Sequence, residues 1–164
     1  MITTRLADPS SEREIRAIVD VTNDAFMADA FFKKTEYHTR FTLDRVQSQI
    51  CEKGSVFIVA ECDHVIVGSI FMHIYIETNV ESAHAGKDFI VVDTVGKFSA
   101  VSVPKKWEKR GIGKKLVSAA ERHARDCGLK YLEVSKRGNP EGLYKLSVDM
   151  EMGVINLRKD LFPW

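Results

Sequence analysis

The sequence predicts a single domain of mixed α/β (α+β) class over residues 1–164, and three observations support this prediction. The length suits one compact domain with one hydrophobic core. Apolar residues recur with helical and strand periods in the order strand, two helices, three strands, helix, strand, helix, strand. Consecutive strands early in the chain predict antiparallel pairing, and a strand–helix–strand unit later makes the expected sheet mixed. No repeat or shift in composition marks a domain boundary.

The chain is expected to begin with a strand and two helices. Residues 2–6 have strand character, and Ser11 followed three residues later by Glu14 is a capping-box pattern. Residues 12–27 are predicted to be helical because their apolar side chains fall at helical spacing. Thr42 is the expected N-cap of a second helix. The predicted buried stripe of the first helix is Ile15, Ile18, Val19, Thr22, Ala25 and Phe26.

A β-hairpin is expected next. Residues 55–62 and 65–77 are β-branched and aromatic runs, separated by Asp63 and His64. Two such runs around a two-residue polar break are typical of a hairpin. The break contains no glycine, which leaves the type of turn open.

The middle of the chain is expected to contain a loop, a strand and a helix. Residues 79–90 have mixed polarity without a clear period and predict a loop, with a strand segment left open at its far end. A strand is predicted over residues 98–103, and Pro104 ends it because proline cannot donate a hydrogen bond to a neighbouring strand. A helix is predicted over residues 112–127, with Gly128 as its C-terminal cap. The expected buried stripe of this helix is Leu116, Ala119, Ala120, Ala124 and Cys127.

The remainder of the chain is predicted to hold two strands and one helix. Residues 130–134 have strand character, and residues 138–140 are expected to form a loop. A final helix is predicted over residues 141–152, followed by a short strand over residues 154–157.

Composition and charge exclude several classes of protein. The formal net charge is +1, from 24 basic and 23 acidic side chains, so no general attraction to nucleic acid or to an anionic membrane is expected. No apolar run reaches the roughly 18 residues that a membrane-spanning helix needs. The 3 cysteines form no paired motif and no cluster with histidine. This predicts reduced thiols in a cytoplasmic protein, and no metal site.

The segment from Val101 to Leu116 carries the clearest functional pattern. A strand runs into a basic turn that contains Gly111 and Gly113, and an amphipathic helix follows. The first turn of a helix has backbone N–H groups without an internal partner and carries partial positive charge. Glycines let a phosphate approach these groups closely. The turn is therefore predicted to bind a pyrophosphate, assisted by the side chains of Lys109, Arg110, Lys114 and Lys115.

Two other phosphate-binding patterns do not fit this turn. The dinucleotide pattern G-x-G-x-x-G requires a glycine where Leu116 stands, and it belongs near the start of a parallel fold rather than late in the chain. The nucleoside triphosphate pattern G-x-x-x-x-G-K-[ST] does not occur in the sequence. The alternative that stays open is a helix start whose glycines serve packing alone.

The turn resembles the acyl-coenzyme A loop of the GNAT family of N-acetyltransferases. By motif the resemblance covers residues 99–135, and Gly68 stands where the third strand of the family commonly has a glycine. It implies a central, mostly antiparallel sheet with splayed fourth and fifth strands, flanked by helices, and acetyl-coenzyme A as co-substrate. The residues that carry it are Val101, Ser102, Val103, Pro104, Trp107, Arg110, Gly111, Ile112, Gly113, Lys114, Lys115 and Leu116.

The resemblance also implies roles for single residues. The backbone of Val101, Ser102 and Val103 is expected to pair with the pantetheine arm of the cofactor. Glu108 stands where the family usually has Gln or Arg, whose side chain contacts the cofactor. The residues expected at the pyrophosphate are Glu108, Lys109, Arg110, Gly111, Ile112, Gly113, Lys114 and Lys115.

The acid–base residues are less clearly marked. In the family an Asn after the fifth strand often contacts the cofactor, and a Tyr seven residues later often protonates its sulfur. Asn139 fits the first role, whereas Tyr144 follows after five residues, so its role as general acid is left open. Asp93 is a weak candidate for the general base, and His73 is expected to be an ordinary strand histidine. The other carboxylates near the expected acceptor side are Glu77, Glu61 and Asp24.

The expected function is the direct transfer of an acetyl group from acetyl-coenzyme A to an amine of a small molecule or a protein. Two alternatives stay open: a domain of this fold that binds acyl-coenzyme A without catalysis, and a plain nucleotide- or phosphate-binding protein. The family often has two strands after the position of Gly153, and this sequence has room for one. Completion of the acceptor side by a second copy, in a homodimer, and a longer natural chain are therefore both expected alternatives.

Overall fold

The computed structural model describes five stretches of the chain, residues 1–27, 41–82, 88–136, 145–149 and 154–160. Within them lie the helices α1 Glu12–Met27, α2 Leu43–Cys51 and α3 Ile112–Asp126, and a short 3-10 helix, Lys105–Trp107. The strands are β1 Ile2–Leu6, β2 Ser55–Cys62, β3 Val65–Ser82, β4 Asp88–Ser102, β5 Tyr131–Lys136, β6 Lys145–Asp149 and β7 Val154–Asp160. Helices and a mixed sheet confirm the predicted α+β class.

The chain forms two compact units. The first comprises Met1–Met72 and Phe98–Ala120, and the second comprises His73–Lys97 and Glu121–Trp164. The strands β3 and β4 and the helix α3 therefore contribute residues to both units. One domain over residues 1–164 stays a prediction.

In the first unit the strand order is β1, β2, β3, β4. Strand β1 pairs antiparallel with β2, and Ile2 lies opposite Cys62. The turn between β2 and β3 consists of Asp63, with φ 49°, and His64, with φ 65°. Left-handed backbone at both central residues is the geometry of a type I′ turn, whose twist matches that of the strands. The predicted hairpin is confirmed, and its turn forms without glycine because Asp and His are among the residues that adopt this conformation most readily.

The helices of the first unit begin where the capping patterns predict. The hydroxyl of Ser11 accepts a hydrogen bond from the N–H of Glu14 at 3.3 Å, and that of Thr42 accepts one from the N–H of Arg45 at 3.2 Å. The N–H of Ser11 is bonded to the carbonyl of Asp8, and the Glu14 carboxylate accepts from the N–H of Asp8 at 2.8 Å. The Glu14 side chain therefore makes its bond of the capping box to the N–H of Asp8 in the preceding loop, not to the N–H of Ser11. Below the helices lies a core of Ala7, Ile15, Ile18, Phe41, Val46, Ile50, Phe57 and Val59.

In the second unit the strand order is β3, β4, β5, β7, β6. The N–H of Lys130 donates to the carbonyl of Thr94 at 3.3 Å, which joins the start of β5 to β4. Strand β7 pairs antiparallel with both β5 and β6. The turn that caps helix α3 contains Gly128, with φ 72°, whose N–H bonds to the Arg125 carbonyl while the N–H of Leu129 bonds to that of Ala124. These two bonds form a Schellman motif, which confirms the predicted cap.

The prediction of a final helix over residues 141–152 is wrong where the structure describes the segment, since Lys145–Asp149 is strand β6. Leu146 and Val148 alternate there with polar residues, and this short period-two pattern pairs with β7. The last part of the described chain therefore has two strands where one was expected, and β7 runs on to Asp160.

The prediction of a loop over residues 79–90 is wrong at its near end, because β3 reaches Ser82, and the strand left open at its far end is present, since β4 begins at Asp88. Ile76, Ile90 and Val92 are 69%, 66% and 60% exposed. Apolar side chains thus stand at exposed positions of β3 and β4, so polarity does not follow exposure there and the strand period is not visible in the sequence.

Cys127, predicted to be buried, is exposed. Helix α3 ends at Asp126, so Cys127 lies in the capping turn and leaves the apolar face that Leu116, Ala120 and Ala124 occupy. No helix of the described chain is both long and apolar enough to cross a membrane.

Candidate functional site

The end of β4 leads into the candidate site through a locally strained backbone. Ala100 has φ 51° inside the strand, a left-handed conformation that costs an L-residue roughly 1–2 kcal/mol. The buried hydroxyl of Ser102 donates to the carbonyl of Ala100 at 2.9 Å. Val101 is 38% exposed and Val103 is half-buried. The side chain of Ser102 is thus bonded within the chain, and the groups of this segment that remain for a ligand are those of its backbone.

A 3-10 turn separates β4 from the basic loop. Its start, Pro104, is buried, and the N–H of Trp107 donates to the Pro104 carbonyl at 2.7 Å. The N–H of Glu108 donates to the carbonyl of Lys105 at 3.2 Å, while the Glu108 side chain is exposed. The guanidinium carbon of Arg110 lies 4.6 Å from the centre of the Trp107 ring. The turn therefore fixes an indole against the cationic side chain that directly precedes the glycines.

The backbone of the loop curls toward the start of α3. Lys109 has φ 60° and Gly111 has φ 74°. Alternation of left-handed and ordinary residues turns successive N–H groups toward one side, which creates a concavity that binds anions. The carbonyl of Gly111 accepts from the N–H of Lys115 at 3.0 Å, so Gly111 is the residue before the helix. The N–H groups of Ile112, Gly113 and Lys114 then belong to the first turn, which has no carbonyl partners within the helix.

The glycines near this turn face different surroundings. A Cβ placed on Gly68 of β3 would lie 3.0 Å from Cγ2 of Ile112, 3.0 Å from the carbonyl oxygen of Ser102 and 3.2 Å from Cδ1 of Leu116. A Cβ placed on Gly111 or Gly113 would have no other heavy atom of the described chain within 4 Å, apart from its chain neighbours and the backbone of its own helix. Gly68 therefore serves packing. The space beside Gly111 and Gly113 is open, which argues against the alternative that these glycines serve packing alone.

The charges around the turn are unbalanced. Among the described residues, no carboxylate lies within 4 Å of the charged atoms of the loop cations, and all of these side chains are exposed. The partial positive charge of the α3 N-terminus adds to theirs. The site can therefore bind an anion of two or more charges. The loop cations are Lys109, Arg110, Lys114 and Lys115.

A groove of about 660 Å³ lies beside the turn in the first unit. Ala17, Val21 and Asp24 of α1 line one wall, and Val65 of the β2–β3 hairpin lines another. Trp107 also lines it, with neighbouring residues of the 3-10 turn. Trp107 therefore lines this groove and also contacts the guanidinium of Arg110.

Two of the predicted base candidates form ion pairs with basic side chains. The ammonium of Lys130 donates to the carboxylate of Asp93 at 3.2 Å, and Tyr131 and Asp93 together raise the pKa of Lys130 above its usual range. Glu61 accepts from the guanidinium of Arg5 at 2.7 Å. Asp24 is exposed, and Glu77 and His73 are half-buried on β3. Asp93 and Glu61 are thus both held in ion pairs.

The predicted residues Asn139 and Tyr144 lie outside the described part of the chain, and their roles stay predictions. Within the described part, no group of three or more His, Cys, Asp or Glu side chains is arranged to hold a metal ion.

Sequence reasoning did not single out a buried pair in the second unit. The hydroxyl of Tyr75 on β3 donates to Oε2 of Glu133 on β5 at 2.8 Å, and Glu133 is 8% exposed. It is the one buried ionisable side chain among the described residues for which burial is given. Arg158 lies opposite Glu133 in the register of β5 and β7. The signal that could have found the pair is a glutamate inside the apolar run of residues 131–134.

A family model described as "Acetyltransferase (GNAT) family" matches residues 16–146, most of the chain. The chain belongs to the GNAT acetyltransferase family. This confirms the predicted family and makes the protein an acyltransferase by membership. No curated protein matches the sequence.

Solved structures similar to this GNAT chain confirm the fold. PaiA N-acetyltransferase from Thermoplasma acidophilum, crystallised with coenzyme A, has a TM-score of 0.69 at 13% identity, over 98% of this chain and 99% of that one. YncA from Salmonella typhimurium, a putative acetyltransferase with its cofactor acetyl-CoA, has a TM-score of 0.64 at 18% identity, over 98% and 94%. An aminoglycoside acetyltransferase from an uncultured soil metagenomic sample, in complex with sisomicin, has a TM-score of 0.57 at 14% identity, over 85% and 78%.

Proposed function

We propose that this GNAT protein binds acetyl-coenzyme A at the turn before α3 and transfers the acetyl group directly to an amine. The observation that carries the proposal is Gly113. Gly113 is the second residue of α3, where alanine is a better helix former than glycine. Apart from its chain neighbours and the backbone of its own helix, no heavy atom of the described chain lies within 4 Å of its Cβ position. A ligand that approaches the backbone closely accounts for both facts, and a diphosphate is such a ligand.

The loop suits the diphosphate of coenzyme A in charge as well as in shape. First-turn N–H groups and the α3 dipole supply donors and partial positive charge. The exposed cations, which have no carboxylate partner among the described residues, supply the counter-charge. Backbone groups of Val101, Ser102 and Val103 are the proposed partners of the pantetheine amides. Their amides match the hydrogen-bonding pattern of a peptide-like arm.

The proposed reaction needs no covalent enzyme intermediate. The lone pair of a neutral amine attacks the carbonyl carbon of the thioester, the C–S bond breaks, and the sulfur leaves as a thiolate that takes up a proton. The amine nitrogen loses one proton in the same sequence, so the products are an amide and free coenzyme A. Positioning of two bound reactants can supply most of the rate. Asn139 at the cofactor and Tyr144 as proton donor belong to the proposal as predictions.

The proposed acceptor is an amine of a small molecule or a peptide. The similar structure that was solved with sisomicin, an aminoglycoside, supports this choice of chemistry. A cytoplasmic location is proposed with it, on the cysteine pattern of the sequence. The homodimer stays a prediction.

The first experiment tests binding and transfer in one set of measurements. Calorimetry with coenzyme A and with ATP should show binding of coenzyme A and much weaker binding of ATP. Free thiol should appear when acetyl-coenzyme A is incubated with at least one of spermidine, a lysine-containing peptide and sisomicin. Intact-protein mass spectrometry without an amine should show no acetylated enzyme. Equal affinity for ATP would favour a general phosphate site, and binding without thiol release would favour the non-catalytic alternative.

The site itself is tested by Gly113→Asp. A carboxylate in the open space should repel the diphosphate and weaken coenzyme A binding at least about hundredfold, while the melting temperature stays close to that of the wild type. Ser118→Asp is the matched control because Ser118 is exposed on the same helix, away from the turn. If both variants bind coenzyme A as the wild type does, the site assignment is wrong.

A further inference from the structure

The guanidinium of Arg110 lies over the indole ring of Trp107. Its guanidinium carbon lies 4.6 Å from the centre of the Trp107 ring. The backbone of Trp107 is in turn held by a hydrogen bond from its backbone N–H to the carbonyl of the buried Pro104, at 2.7 Å. An exposed arginine normally samples many rotamers, which it loses when it binds. Here the indole removes part of that freedom beforehand.

Stacking leaves the hydrogen-bonding capacity of Arg110 intact. A guanidinium meets an aromatic ring with its face, and its five N–H donors lie in its plane, at the edge. Among the described residues no carboxylate lies within 4 Å of Arg110. The edge is therefore available to a phosphate, and a planar fork is the donor geometry that matches two phosphate oxygens.

Glu108 gives this arrangement a reason. Its side chain is exposed, and an ionised carboxylate has no hydrogen to donate to a phosphate. The Glu108 side chain thus provides no donor to a phosphate at this turn. Arg110, two residues later, is the neighbouring cation that an aromatic ring holds in place.

We propose that Trp107 is a positioning residue that holds Arg110 for the diphosphate of coenzyme A, and that Arg110 supplies the side-chain donor that Glu108 cannot. This inference rests on the proposed function, because it needs coenzyme A at the turn. The bound diphosphate receives the edge of the guanidinium while the indole keeps its face. Trp107 itself makes no hydrogen bond to the ligand.

A double-mutant cycle on coenzyme A affinity tests the coupling. Arg110→Ala should raise the Kd about tenfold to hundredfold, the effect of one charge-assisted contact. Trp107→Leu should raise it about threefold to tenfold in the wild-type chain, since stacking at an exposed site is worth less. In the Arg110→Ala chain, Trp107→Leu should leave the Kd unchanged. Lys105→Ala is the control for loss of a cation from the same turn, and it should change the Kd less than twofold and show no coupling to Trp107.

The outcomes separate the two proposals. A wild-type chain that does not bind coenzyme A removes the proposed function and this inference with it. A wild-type chain that binds, with effects of Trp107→Leu and Arg110→Ala that multiply independently, leaves the function standing and overturns the inference. Trp107→Tyr covers the case in which the leucine variant fails to fold. It should keep most of the affinity, and a loss as large as that of Arg110→Ala would also overturn the inference.

Discussion

Gly68 of β3 and Gly113 both lie at the start of helix α3, but the space beside them differs. A Cβ on Gly68 would meet Ile112, Leu116 and the backbone of Ser102 at 3.0–3.2 Å, so its partner is the protein. A Cβ on Gly113 would meet no atom of the described chain within 4 Å, apart from its chain neighbours and the backbone of its own helix. A glycine in the sequence therefore indicates a ligand site only when the atoms around it are known.

The charged side chains of the first unit divide in the same way. Arg5 donates to Glu14 at 2.8 Å and to Glu61 at 2.7 Å, which ties β1 to α1 and β2. The cations of the loop before α3, such as Lys109 and Lys114, make no such pair with the described residues. The paired groups hold elements of the first unit together, whereas the exposed cations of the loop have charge left for an anion.

Gly68→Val is the change that should separate the two glycines most strongly. Its side chain would force apart β3, the end of β4 and α3, and overpacking of this kind costs up to about 3 kcal/mol of unfolding free energy. Chemical denaturation of the variant and the wild type measures the difference. An unfolding free energy equal to that of the wild type would show that the helix can move away freely, and Gly68 would then lose its packing role.

The parts of the fold that the sequence predicts correctly are those decided by neighbours along the chain. Ser11, Thr42 and Gly128 act through hydrogen bonds to residues a few positions away, and all three caps form as expected. The strand at Lys145–Asp149 is not predicted because its identity depends on pairing with β7, which no local pattern indicates. The extension of β3 to Ser82 is not predicted either, because apolar side chains stand at exposed positions of this strand, such as Ile76.

The candidate site likewise has one part that neighbours along the chain determine and one part that they do not. Its phosphate end could be predicted because Gly111, Gly113 and the basic residues are consecutive. The catalytic base could not be predicted, because carboxylates of this chain meet partners that are far away in the sequence. Asp93 pairs with Lys130, and Glu133 accepts a hydrogen bond from Tyr75, which is 58 positions away. No local pattern distinguishes an ion-paired carboxylate from a catalytic one.

Glu14→Gln tests the satisfied half of the comparison and should have an intermediate effect. The hydrogen bond from Arg5 holds the pKa of Glu14 below its usual value of 4.5. A depressed pKa stabilises the folded state above that usual value, and the stabilisation is lost as the pH falls through the folded pKa. The variant should therefore be about 1 kcal/mol less stable than the wild type at pH 7, and the difference should shrink below pH 4.5.

Denaturation over a range of pH values measures this difference. Glu12→Gln is the matched control, because Glu12 lies in the same first turn of α1 and pairs with Arg16 at an exposed surface. Its effect should be about 0.5 kcal/mol or less. A Glu14 effect that persists unchanged in acid would mean that the carboxylate acts through packing instead of charge.

Gly113→Ala is the smallest change and the sharpest test, because its two expected effects have opposite signs. Alanine fits the open space beside a helical backbone, so the free protein should gain about 0.5–1 kcal/mol of stability. The same methyl group would occupy the space in which the diphosphate approaches the first-turn N–H groups, so coenzyme A should bind less tightly. Thermal unfolding and calorimetry on one preparation measure both effects. A variant that gains stability without losing affinity would mean that nothing approaches this backbone closely, and the glycine would be left without an explanation in either the fold or the ligand.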